Sequence, residues 1–159
     1  PQSIIMKNGS KIMSLIDGSK KMSKSDPNEG SRINLLDPPE IITKKIKRAK
    51  SDSFNGIEFH NSDRAESRNL LMIYSLLSGK EISQCENEFS DTGWGTFKKL
   101  ITEQLIESLE PIQEKYKVLI NDPYQLNNIL LEGKEKAEEL ANKTLKRVKS
   151  KLGFYEMEK

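Results

Sequence analysis

The spacing of apolar residues changes near residue 37. Before it, they come as two short pieces, Ser3–Met6 and Lys11–Ile16, with Gly9, Gly18 and Gly30 between and after them. That pattern predicts short strands joined by loops. After it, apolar residues recur every three or four positions, the period of a helix with one face buried. "LLDPPEIITKKIKRAK" predicts a first helix, with Asp37 as its cap and Pro38 at its first position. Ile41, Ile42, Ile46 and Ala49 share one face, and Lys44, Lys47, Arg48 and Lys50 point away from it. A polar loop, residues 51–67, precedes a helix carrying Leu70, Leu71, Ile73, Tyr74 and Leu77, which Gly79 ends. Ile82, Cys85 and Phe89 mark a short helix. The most regular run is Trp94 to Ile120, where Pro111 is expected to kink or split the helix. Asp122-Pro123 restarts a helix that Gly133 should break. A last helix carries Ala137, Leu140, Ala141, Leu145, Val148 and Leu152, and Gly153 closes it.

The 159-residue chain is long enough to bury a core, and 31% of it is charged against 6% aromatic, which suits a helical protein. No apolar run approaches the roughly 20 residues needed to cross a bilayer. The polar opening "PQSIIMKNGSK" does not read as a secretory leader. Because it starts at Pro1, the chain is expected to be a piece of something longer. Cys85 and His60 are the only residues of their types. An intrachain disulfide is impossible, and a zinc site lacks ligands. Cys85 is expected in the core. His60 has no nucleophile motif beside it and is expected to be structural or solvated. Net charge is +2, but residues 1–50 hold eleven Lys/Arg against five Asp/Glu, whereas residues 51–159 hold fifteen against nineteen. A basic front end suits either a polyanion partner or a solvated surface.

The sharpest feature is "SKKMSKS", three lysines and three serines between Ser19 and Ser25. Ammonium groups crowded in a loop repel one another unless an anion lies between them, and lysine is a compact charge on a flexible stem that follows phosphate. The spacing is not that of a Walker loop. Asp26-Pro27-Asn28 follows, and Pro27 biases Asp26 away from helix. A segment free to move between fixed ends has the character of a lid. Residues 17–30 are accordingly expected to be mobile or disordered without a nucleotide.

Lys21-Met22-Ser23-Lys24-Ser25 matches the KMSKS signature of class I aminoacyl-tRNA synthetases. With "KIMSLIDGSKKMSKSDPN", "INLLDPPEIITKKIKRAKSDS", "RNLLMIYSLLSGK", "GWGTFKKLITEQLIESLEPIQEKY" and "ILLEGKEKAEELANKTLKRVKSKLGF", residues 1–154 resemble the C-terminal half of the bacterial tryptophanyl-tRNA synthetases. The resemblance implies a mainly α chain. Residues 1–36 would be the end of a Rossmann-type catalytic domain with short strands and the KMSKS loop, residues 37–154 a helical anticodon-binding domain, and residues 155–159 a tail. It implies ATP as substrate with Mg2+, a tryptophan tRNA, a homodimer, a cytoplasmic location, and an N-terminal half carrying the HIGH-type signature and the amino-acid pocket, neither of which is visible here. Alone, the chain is expected to be inactive. The resemblance makes Lys24 the main pyrophosphate partner and Lys21 its assistant. It places Ser23 and Ser25 as phosphate donors, Met22 as the loop's packing anchor, and the Ile12 backbone against adenine. No protein ligand set for a metal is implied, and no anticodon-reading residue is identified. Basic residues Lys44, Lys47, Arg48, Lys143, Lys146, Arg147 and Lys149 suit tRNA phosphates or plain solvation. Trp94 stands where a tyrosine is usual. The alternatives are a tyrosyl-type synthetase, a free-standing RNA-binding helical module, and a purely structural helical protein.

Overall fold

A computed structural model describes residues 9–154. The expected strand Ser3–Met6 lies outside them. Five helices follow one another: α1 (Pro39–Arg48), α2 (Ala65–Ser78), α3 (Ile82–Phe89), α4 (Trp94–Ile120) and α5 (Pro123–Lys151), with one 3-10 turn at Glu29–Ser31 before them. Among the described residues there is no strand. The second expected piece, Lys11–Ile16, is therefore not a strand; it forms one isolated antiparallel bridge, between Met13 and Lys21. The fold is mainly α, as the helical spacing implies.

The chain divides into two compact units, residues 1–113 and 114–159. In the first, Ile42, Ile46, Leu70, Leu71, Phe89, Phe97 and Ile101 are almost wholly buried around one core, which Leu15 joins from the segment before α1. Tyr74, Phe89 and Phe97 pack edge to face, with centroids 4.9 Å apart for the first pair and 4.8 Å for the second. Such contacts add to the area each ring buries. Cys85 is fully buried, as its spacing predicts. His60 is exposed beside Glu86.

Helix α1 begins differently from its sequence reading. Pro38 occupies the cap position and Pro39 the first turn, and no side chain caps the helix. Asp37 turns inward instead. Its carboxylate accepts the Asn34 backbone N–H at 2.9 Å and the Asn34 amide at 3.1 Å, and it pairs with Lys45. Both partners of that ion pair are buried. Ile41 is 37% exposed, so the buried stripe of α1 is Ile42, Lys45 and Ile46, continued by Ala49 at its C-cap. The expected polar loop 51–67 is not merely solvated either: Ile57, Arg64 and Ser67 lie in the core, and α2 starts at Ala65. Arg64 donates from Nε and Nη2 to the Asp52 carboxylate at 2.8 and 2.9 Å and from Nη2 to the Gly56 carbonyl at 2.7 Å.

Two expected interruptions do not split their helices. Helix α4 runs unsplit through Pro111, and α5 runs through Gly133. A proline removes one backbone donor, and a glycine costs about 1 kcal/mol in an exposed helix; neither outweighs long flanking runs of good helix formers. Asp122 caps α5 by accepting the Gln125 N–H at 2.9 Å. At its other end Gly153, with φ +75°, donates to Ser150 O and Phe154 donates to Lys149 O. This pair of bonds is the left-handed C-terminal closure that glycine permits. No residue of α5 is buried.

Candidate nucleotide site

The lysine loop is built on residues 12–15. Ile12 and Met13 are half-buried, and Ser14 and Leu15 are buried. Ser14 N–H donates to the Lys20 carbonyl at 2.8 Å, and Met22 N–H donates to the Ile12 carbonyl at 2.9 Å. These bonds flank the Met13–Lys21 bridge, so both ends of the intervening turn are tied to one short ledge. The ledge itself is anchored: Leu15 N–H donates to Ser31 O, and Lys50 N–H donates to Leu15 O.

Residues 17–30 form a succession of turns, and at Asp17, Asp26 and Asn28 a short polar side chain accepts from the backbone two residues on. The Asp17 carboxylate accepts the Ser19 hydroxyl at 2.6 Å and the Ser19 N–H at 3.1 Å, and Lys20 Nζ lies 3.2 Å away. The Ser19 hydroxyl and N–H, then Lys20, lower the Asp17 pKa to about 2. Asp26 accepts the Asn28 N–H, Asn28 accepts the Gly30 N–H, and Arg32 Nη1 donates to the Asp26 carbonyl at 2.8 Å.

Between these turns the predicted residues separate by role. Lys21, Ser23, Lys24 and Ser25 are exposed; Met22 is half-buried and packs against the core. The Ser23 and Ser25 hydroxyls lie 3.1 Å apart. Lys20 is matched by Asp17, whereas Lys21 and Lys24 form no ion pair with any described residue. The loop therefore offers two unmatched ammonium groups and two adjacent hydroxyls to solvent while its methionine holds the base. Such an arrangement attracts a polyanion.

Sequence reasoning missed Asn69. It is nearly buried on α2, yet its amide meets the ledge at both polar groups of one residue: Met13 N–H donates to Asn69 Oδ1 at 2.8 Å, and Asn69 Nδ2 donates to Met13 O at 2.8 Å. A polar side chain inside the apolar run "RNLLMIY" was the available signal.

A family model described as tRNA synthetases class I (W and Y) matches residues 1–110. The chain belongs to this family. Among its curated relatives, a tryptophan–tRNA ligase of Prochlorococcus marinus subsp. pastoris is 78% identical over the whole chain, which covers 47% of that protein. The chloroplastic/mitochondrial tryptophan–tRNA ligase of Arabidopsis thaliana is 47% identical over 98% of the chain and 38% of its own length. The crystal structure of tryptophanyl-tRNA synthetase from Mycoplasma pneumoniae superposes on 94% of the chain and 45% of its own with a TM-score of 0.82 at 33% identity. The chain spans about half the length of the bacterial ligase it matches. No helix among the described residues is long and apolar enough to cross a membrane.

Proposed function

We propose that this chain supplies the lysine loop and tRNA-facing helices of a tryptophan–tRNA ligase. That enzyme activates tryptophan with ATP and transfers it to its tRNA. The observation that carries this reading is the pair of exposed, unmatched lysines, Lys21 and Lys24, beside Ser23 and Ser25 on a loop whose base is hydrogen-bonded to residues 12–15. The names of the relatives favour tryptophan over tyrosine as the amino acid.

In this reading ATP enters as its magnesium complex. The ledge backbone around Ile12 faces adenine, and Met22 fixes the loop. When the tryptophan carboxylate attacks the α-phosphorus, the α–β bridging bond breaks and negative charge gathers on the departing pyrophosphate. Lys24, assisted by Lys21, neutralises that charge as it develops, and the Ser23 and Ser25 hydroxyls donate to phosphate oxygens. A cation placed for the leaving group lowers the barrier because it stabilises the transition state more than bound ATP. Residues 1–36 would complete a Rossmann-type catalytic domain and residues 37–154 would serve tRNA. Lys44, Lys47, Arg48, Lys143, Lys146, Arg147 and Lys149 are candidates for backbone phosphates. The working enzyme would be a cytoplasmic homodimer whose other half brings the amino-acid pocket.

Single-turnover kinetics of the full-length protein carrying this chain test the assignment. Lys24→Ala is expected to slow adenylate formation by about two to three orders of magnitude, the loss of roughly 3–4 kcal/mol of charge stabilisation. ATP binding and transfer from preformed adenylate should suffer much less. Lys20→Ala is the control, because Lys20 is already matched by Asp17. Equal slowing by both substitutions would reduce the loop to diffuse positive charge.

A further inference from the structure

We propose that Asn69 is a positioning residue for the lysine loop, through which α2 sets where Lys21 and Lys24 stand. This rests on the nucleotide-site reading above and extends it to a residue outside the signature.

The geometry has three links. Asn69 grips Met13 at its N–H and its carbonyl, both at 2.8 Å, and Nδ2 also lies 3.5 Å from the Ser14 carbonyl. Asn69 is 5% exposed, so water does not readily replace these bonds. Met13 is the residue bridged to Lys21, and its neighbours Ile12 and Ser14 take the hydrogen bonds that hold Met22 and Lys20. Any shift of Met13 is therefore passed directly to Lys21.

A second contact on α2 supports the first. Gly18, at the turn before the lysines, lies so close to the start of α2 that a Cβ there would sit 2.7 Å from the Ala65 carbonyl carbon and 2.9 Å from the Glu66 nitrogen. Glu66, one turn before Asn69, accepts from Lys50 Nζ at 2.8 Å, and the Lys50 backbone in turn holds Leu15. Helix α2 thus meets the ledge at Met13, the turn at Gly18 and, through Lys50, the ledge's end at Leu15. An amide is suited to the central contact because it presents one acceptor and one donor in a single plane, matching a backbone N–H and C=O. Aspartate keeps only the acceptor and turns a carboxylate toward two carbonyl oxygens. Alanine leaves both Met13 groups unpaired in a nearly dry place.

The test uses the full-length protein carrying this chain. Asn69→Ala is expected to lower kcat for adenylate formation about 10- to 100-fold, the scale of an ångström-level misplacement of catalytic groups. The KM for ATP should rise by less than kcat falls, because the ledge around Ile12 meets adenine while the displaced lysines act mainly on the leaving pyrophosphate. Asn69→Asp should be slowed at least as much. In a background lacking both lysines, Lys21→Ala with Lys24→Ala, Asn69→Ala should cost only about twofold more, since the groups it positions are already gone. Full additivity of Asn69→Ala with the lysine substitutions, or a change confined to KM, would overturn the proposal. So would failure of both Asn69 variants to fold, which would make Asn69 a folding residue. Hydrogen exchange provides a readout independent of catalysis: the Met13 and Met22 amides should exchange at least about tenfold faster in Asn69→Ala, with α3 and α4 unchanged, as a local opening requires. Unchanged exchange at those amides would refute the coupling. If the unsubstituted full-length protein formed no tryptophanyl adenylate, the functional reading would fail, and the exchange measurement would still decide whether α2 holds the loop.

Discussion

Neighbouring lysines in this chain have opposite fates. Lys44 and Lys47 are exposed on α1, whereas Lys45 is 9% exposed and paired with Asp37. Burial pushes the Asp37 carboxyl up, but Lys45 and the Asn34 donors outweigh it and hold its pKa below the ordinary 3.8. Removing one member of such a pair strands the other charge, at a cost of about 3–5 kcal/mol. Lys45→Met should therefore lower stability by about that much, read from urea unfolding, and adding Asp37→Asn should restore a large part of it. Lys44→Ala and Lys47→Ala should stay within about 0.5 kcal/mol, as exposed substitutions do. Equal effects at Lys44 and Lys45 would contradict the pairing. The α1 pattern separates Lys44 from the apolar stripe, but no local rule announces that Lys45 enters the core, because its partner lies eight residues earlier in a different conformation. Trp94 shows the same limit. Its indole N–H donates to Asp52 at 3.2 Å, a contact that only the folded chain reveals.

At the scale of elements, helix ends were more legible than helix continuity. Gly79 and Gly153 end α2 and α5 with φ of +70° and +75°, and Asp122 caps α5, all as their chemistry predicts. Pro111 and Gly133 look like breaks but lie inside continuous helices. Gly133 within α5 and Gly153 just past its end make a controlled comparison, since neither has a neighbour within 4 Å of a new Cβ. Gly133→Ala should stabilise the helix by about 1 kcal/mol, whereas Gly153→Ala should destabilise its end by a similar amount. Thermal unfolding followed by circular dichroism reads both. Shifts of the same sign at the two positions would show that the positive φ at Gly153 does not matter. Sequence alone cannot rank them, because a glycine's value depends on whether its backbone lies on the left-handed side.

For the whole molecule, acid stability follows from where the carboxylates sit. Burial raises the Asp52 pKa, but the Arg64 guanidinium, the Phe54 N–H and the Trp94 indole together hold it below 3.8. Asp37 is lowered in the same sense, and Glu66 is held down chiefly by Lys50. A depressed carboxylate contributes fully above its unfolded pKa, and the contribution is lost as pH falls from there through the lower folded value. The urea midpoint should therefore be steady near neutrality and fall steeply below about pH 4, the unfolded carboxylate range. Asp52→Asn should begin lower and decline less steeply. An acid slope unchanged by that substitution would exclude Asp52 as a source. What the sequence alone determined is what short-range chemistry governs: helical periodicity, the Asp122 cap and the glycine closures, a crowded lysine loop, and a signature long enough to point to one family. The tertiary structure decided which charges leave water, where the loop is tied, and which apolar positions are covered. Asp37 and Lys45, Asp52 and Arg64, and Met13 and Asn69 are separated by 8, 12 and 56 residues. Their pairings depend on the packing of α1 and α2, which brings together residues that no spacing rule connects.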